Sequence, residues 1–170
     1  ASRAETRLED MPLHTTVLSR EEIENSPAQT LDQVLRNVPG LLIPGAPAYT
    51  GDPTGQNIKF RGMDKKVLVL VDGIPVHDPF FTTIQWFKVP LGTVDRVEVI
   101  RGGGSSLWGN LAVGGVINIV SKRPTSGDGE GQISGGSMNT WSGTATKNLV
   151  VSDALSFTFS GSGFTTKGYN

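Results

Sequence analysis

An α/β domain with a small mixed sheet and short helices, followed by antiparallel strands of a different character, is the fold class this sequence predicts. Three observations carry it. Val94–Lys122, VDRVEVIRGGGSSLWGNLAVGGVINIVSK, reads as a strand, a glycine-rich corner, a small-residue segment and a second strand. Two short helical patterns stand ahead of it, each opened by a hydroxyl residue. Beyond Pro124 the chain turns to glycine and hydroxyl residues, with apolar side chains at every second position.

Taken in order, Ala1 to Leu13 is polar and of mixed charge, which suits an extended arm; its Ala1-Ser2-Arg3 opening fits a processed chain without a secretory leader. His14–Leu18 reads as a short strand. Ser19-Arg20-Glu21-Glu22 is a capping box: the serine oxygen can accept from the third backbone N–H while Glu22 reaches back. Thr30-Leu31-Asp32-Gln33 repeats the device. Behind it Leu31, Val34, Leu35 and Val38 fall at i, i+3, i+4 and i+7, one apolar face of a helix laid on a sheet, ended by Pro39-Gly40.

Leu41-Leu42-Ile43 reads as a buried strand. Pro44–Gln56, PGAPAYTGDPTGQ, holds three prolines and three glycines and is a loop. Asn57–Arg61 and Lys66–Val71 read as strands joined at Gly62–Lys65, and Asp72-Gly73 is a strong turn signal. His77–Lys88, HDPFFTTIQWFK, is the aromatic high point, with four Phe or Trp among twelve residues. In Val94–Ile100 the side chains of Val97 and Val99 point one way and those of Arg96 and Glu98 the other. Val113–Val120 is nearly all β-branched or glycine, which suits a strand covered on both faces.

Thr125–Gly131 is small and polar, a linker; Gln132–Ser137, Trp141–Val151 and Leu155–Thr165 then read as strands. In Leu155–Ser160 apolar residues alternate with hydroxyls, a pattern shared by membrane-barrel walls and by water-soluble sandwiches. Lys147 fits poorly on an apolar face with Trp141, Ala145 and Leu149, which leaves the register there open.

Composition narrows the function. With 170 residues the chain can bury an ordinary core. Its net charge of -1 shows no basic surface for nucleic acid. It has no cysteine, hence no disulfide framework and no thiolate metal site. No apolar run approaches the roughly 20 residues of a spanning helix. His14 and His77 are far apart in sequence and outside any metal-ligand spacing, and GxSxG is missing, so an α/β enzyme is disfavoured and neither cofactor nor metal is expected. Gly102–Ser106 resembles a phosphate cradle but lacks the Walker lysine and reads as a structural corner.

The motifs VPGLLI (Val38–Ile43), IKFRG (Ile58–Gly62), VLVLVDGIPV (Val67–Val76), RVEVIRGGGSSLWG and GGVINIVSK stand in the order and spacing of the plug domain of TonB-dependent outer-membrane transporters, which Ala1 to Pro124 resembles. Gly103 stands where that family usually has proline, and Trp108 where tyrosine is commoner. The resemblance implies a plug domain with an N-terminal arm over Ala1–Ser126 and the first strands of an outer-membrane β-barrel over Gly127–Asn170. A plugged barrel has about 22 strands, so the wall here would be incomplete. It implies uptake of a scarce bulky nutrient, an iron–siderophore complex or another metal chelate or cobalamin-like molecule, across the outer membrane of a Gram-negative cell. TonB would engage the arm, and the plug would sit in the lumen of the receptor's own barrel. The segment that meets TonB would lie before residue 1 or be missing.

Two sets of site residues follow. Arg61 and Arg101, each at a strand end before a glycine, would pair with carboxylates of the barrel wall and lock the plug. The loops 44–56, 62–65 and 77–88 would face the substrate, with Tyr49, Phe80, Phe81 and Trp86 as flat apolar surfaces and Asp64 and Gln85 as polar handles. The rival is a soluble periplasmic binding or signalling module with a plug-like fold.

Overall fold

The computed structural model describes residues 14–44, 56–102, 105–125, 127, 129–136, 139–152, 155–165 and 167. The chain divides into two compact units, Ala1–Ser121 and Lys122–Asn170.

The first unit is a five-stranded mixed sheet in the order β1-β7-β8-β5-β6, built from His14–Leu18 (β1), Val67–Val71 (β5), Ile74–Pro75 (β6), Val94–Arg101 (β7) and Gly115–Ser121 (β8). β5 and β8 run parallel; the other pairs are antiparallel. A three-stranded ribbon of Leu41–Leu42 (β2), Lys59–Phe60 (β3) and Met63–Asp64 (β4) stands beside it in sequence. Among the described residues the unit also has three short α-helices, Arg20–Glu24 (α1), Leu31–Leu35 (α2) and Ser105–Trp108 (α3).

Alternation decides what each strand buries. Val67 and Val69, Val97 and Val99, and Ile117 and Ile119 belong to the main core, together with the α2 stripe of Leu31, Val34, Leu35 and Val38. Leu68, Leu70, Ile100 and Val116 build a second, smaller core with Ala112. The central strands are therefore covered on both faces, as the β-branched run of β8 predicts.

Several local expectations need correction. The Ser19 capping box forms, with the Ser19 N–H donating to Glu22 at 2.7 Å. The second one does not: Gln33 accepts from the N–H of Gln29, one residue ahead of the Thr30 cap, and the Thr30 hydroxyl makes no capping bond. Leu41 and Ile43 are buried but Leu42 between them is 58 % exposed, because the strand is only two residues long and alternates. Glu98, expected on a polar flank, is 4 % exposed. Val17 of β1 and Asn118 of β8 flank it across the two ladders, and it persists there because Arg96 Nε donates to one oxygen at 3.0 Å and Asn118 Nδ2 to the other at 3.2 Å.

Arg61 is not the end of a strand. Arg61 and Gly62 are the two residues between the paired Phe60 and Met63, with φ of 49° and 80°. Asp72 and Gly73 join β5 to β6 with φ of 49° and 82°. Positive φ at both central residues is the two-residue hairpin turn whose twist matches its strands.

The second unit is a sheet in the order β11-β10-β9, made of Gly129–Gly136 (β9), Thr140–Ser152 (β10) and Leu155–Thr165 (β11). β9 starts at Gly129, inside the stretch expected to be linker. Antiparallel pairing runs unbroken from Trp141 to Val150 against β11, so alternation puts Lys147 on the same face as Trp141, Ala145 and Leu149. Its stem passes over Gly129, where a Cβ would stand 3.2 Å from Lys147 Cδ, and its ammonium donates to the Gly127 carbonyl at 3.1 Å. Ile133, Trp141, Leu149, Leu155, Phe157 and Phe159 are all exposed on that face. The opposite face carries Ser142, and Thr144, Thr146 and Asn148 against Ser162, Ser160 and Thr158, with Thr158 Oγ1 donating to Asn148 Oδ1 at 2.9 Å.

Candidate functional site

The segment 77–88 is held at its base by two strand-like contacts and one side-chain bond. Ile84 bridges both Gln56 and His77, and Gln56 and Ile84 exchange two backbone hydrogen bonds of 2.9 Å. His77 Nε2 lies 2.9 Å from the Val67 carbonyl, which can only accept, so Nε2 is the ring nitrogen that donates there. The other ring nitrogen is buried without a partner. A second proton would place a donor where nothing accepts it.

Burial lowers the His77 pKa from its ordinary 6.5, and the Val67 carbonyl only partly opposes this. The folded state thus binds its proton less readily than the unfolded chain. The resulting stability is present above about pH 6.5 and is lost as pH falls through the folded pKa. The denaturant midpoint of the first unit is expected to fall between about pH 7 and about pH 5.5, and His77→Gln is expected to flatten that slope. Urea titrations of both proteins across this range check it.

Above this base the chain makes a small closed tip. The Asp78 N–H donates to the Thr83 carbonyl at 2.8 Å and the Thr82 N–H to the Asp78 carbonyl at 2.9 Å. Asp78 Oδ1 accepts from the N–H groups of Phe81 and Phe80 at 2.7 and 2.8 Å. These bonds, Phe81's foremost, hold the Asp78 carboxyl below the usual carboxylate range. Phe80 and Phe81 are 88 % and 64 % exposed, with ring centroids 5.5 Å apart in an edge-to-face pair.

The structure separates the other expected ligand residues. Trp86 is 1 % exposed and belongs to the main core, which corrects its placement as a ligand face. The 3₁₀ turn Trp86–Lys88 rotates the indole inward, with the Lys88 N–H on the Gln85 carbonyl and the Val89 N–H on that of Trp86. Gln85 is half-buried on an open groove of ≈ 510 Å³ shared with His77, Lys88 and Thr93. Asp64 pairs with Lys59 in the β3–β4 ladder, and its side chain lies outside what is described. Tyr49 lies outside the described residues, as do most of its loop and the arm of residues 1–13. Asp78 beside His77 reads in the sequence as ordinary surface, and Asp78-Pro79 ahead of two aromatics was the available turn signal for its role in the loop.

Arg61 is exposed. Arg101 is half-buried at the end of β7, where its Nη2 donates to Thr16 Oγ1 at 2.8 Å while its Nε is buried without a partner. Among the described residues neither arginine has a carboxylate within ion-pair distance. Among them, too, no group of three or more potential ligand side chains is placed to hold a metal ion. No described helix is long and apolar enough to cross a membrane.

Comparison with known proteins gives a consistent result. The family described as TonB-dependent Receptor Plug Domain matches residues 7–116. The vitamin B12 transporter BtuB of Vibrio vulnificus is 35% identical over 130 residues, covering 76% of this chain and 21% of its own length. The ferric enterobactin receptor PirA of Pseudomonas aeruginosa is 31% identical over 133 residues, covering 72% of this chain and 18% of its own length. Among solved structures, the siderophore receptor PiuA of Acinetobacter baumannii superposes with a TM-score of 0.69 at 30% identity, over 92% of this chain and 21% of that one. The chain thus spans about a fifth of the length of these relatives.

Proposed function

We propose, from the premise that this chain belongs to the TonB-dependent receptor plug family, that it closes and gates an outer-membrane transporter for a bulky metal chelate or cobalamin-like cargo. The observation that carries the cargo-facing half of this reading is the Phe80–Phe81 tip: two large apolar rings held out in solvent by a braced loop. Exposed aromatics in a fixed geometry are what a ligand or partner anchors on. Relatives are named for vitamin B12 and for ferric enterobactin, so both serve as trial cargoes. Phe80 and Phe81 are the contacts retained, Gln85 lines the adjacent groove, and Tyr49 and Asp64 remain expected contributors.

The second unit supports the envelope setting. Its sheet has one apolar and one hydroxyl-rich face, and the apolar one is exposed. A barrel wall turns such a face to lipid and its polar face to the lumen. TonB would act from the periplasmic side on the arm and shift the plug between two states, cargo binding biasing which is populated.

Arg61 and Arg101 fit the lock. The half-buried Arg101 guanidinium is costly without a carboxylate, and one supplied from outside the unit would remove that cost; Arg61, exposed in its turn, could reach a wall carboxylate without such a burial cost. With both replaced by alanine in the complete receptor, plug release in denaturant is expected to become easier by about 3 kcal/mol for the pair. An unchanged midpoint removes the lock.

The whole reading is tested by uptake. Cells lacking the gene should fail to accumulate the cargo, and cells carrying it but lacking TonB should bind cargo without accumulating it. Equal uptake with and without TonB would leave the proposal without support.

A further inference from the structure

We infer that Asp78 is a positioning residue that fixes the Phe80–Phe81 tip in its cargo-accepting geometry. The inference rests on the reading that this tip meets the cargo, and asks what holds it there.

The base of the segment is anchored independently of Asp78's side chain. Ile84 is bridged to Gln56 and His77, and His77 is tied to the Val67 carbonyl. The five-residue loop is closed by main-chain bonds from Asp78 to Thr83 and from Thr82 to Asp78. Between those closures, the Phe80 and Phe81 N–H groups both donate to a single oxygen of Asp78, at 2.8 and 2.7 Å. Pro79 restricts the intervening backbone and Thr82 stands at a φ of 57°, which a β-branched residue rarely adopts unless its surroundings impose it. The rings themselves are exposed and meet each other at 5.5 Å. Core packing therefore does little to orient them, and the carboxylate fixes the backbone from which they project.

Fixing an exposed aromatic pair before the encounter reduces the ordering cost on binding. The side chain need not touch cargo for its loss to weaken affinity. A carboxylate is not required either, since an asparagine carbonyl oxygen accepts in the same place.

The test uses the complete receptor in detergent with ferric enterobactin and cyanocobalamin as probes, continued with whichever binds. Phe80→Ala/Phe81→Ala is expected to weaken binding by about tenfold or more. Asp78→Ala is expected to weaken it by about tenfold and Asp78→Asn by no more than about threefold. Combining Asp78→Ala with the double phenylalanine variant should add nothing further, because the residue works through the rings. Amide exchange at Phe80 and Phe81 should accelerate in Asp78→Ala and stay slow in Asp78→Asn, while exchange in β5 and β8 stays unchanged. If the phenylalanine variants weaken binding but Asp78→Ala does not, or if its loss adds to theirs, the inference is overturned and the cargo-facing tip stands. If the phenylalanine variants bind normally, or neither probe binds, the tip reading itself falls and the inference with it.

Discussion

Trp86→Ala is expected to cost the first unit about 3–5 kcal/mol, because it removes a large buried side chain from a core that cannot close over the space. The indole is 1 % exposed and packs in the same cluster as Phe60, Ile84, Val97 and Ile119. A loss of this size is a large share of the roughly 5–15 kcal/mol that stabilises a typical domain. Hydrogen exchange of the β5, β7 and β8 amides in the complete receptor should quicken by at least about a hundredfold. Cargo affinity of the folded fraction should change little. The reverse result, weakened binding with protected strands intact, would return Trp86 to the ligand surface.

Gly115→Ala is expected to be nearly as damaging, for the opposite reason. Gly115 lies between Arg101 of β7 and Val67 of β5. An added Cβ would stand 2.6 Å from the Ile100 carbonyl oxygen and 3.4 Å from the Phe60 ring. The oxygen belongs to the backbone of the paired strand and cannot swing aside, so the two strands must separate where they are laddered. About 3 kcal/mol, the upper end of what overpacking costs, is the expected loss. Gly163→Ala is the control: nothing lies within 4 Å of its Cβ position, and the change should stay within about 0.5 kcal/mol. Denaturant midpoints of the two variants decide it. Equal midpoints would mean that the β7–β8 contact is looser than described.

Much of the architecture was legible because it depends on period. The α2 stripe, the alternation in β7 and β11, and the Asp72-Gly73 turn follow from spacing and turn chemistry alone. What misled was context. The same aromatic richness in residues 77–88 covers two fates, and only the 3₁₀ turn at Trp86 sends one ring inward while the Asp78 loop holds two outward. Glu98 reads as a surface residue, yet its place between two paired strands sets Asn118 beside it as a donor. Leu42 reads as core in an apolar run, yet a two-residue strand buries only one side. Gln33 caps one residue early because a side-chain amide reaches either N–H, and spacing does not choose between them. Arg101 ends its strand as the apolar run before it predicts, whereas Arg61 lies within a hairpin turn that the same kind of run does not reveal.

The most direct test of the central claim is chemical access to the tip in intact cells. This chain carries no cysteine, so Phe81→Cys adds the single thiol on it. A membrane-impermeant maleimide should label Phe81→Cys from outside the cell, saturating cargo should block the labelling, and Trp86→Cys should stay unlabelled until the protein is denatured. A Phe81→Cys thiol that reacts only after the envelope is broken, or that reacts equally with and without cargo, would contradict a plug whose aromatic tip receives the cargo.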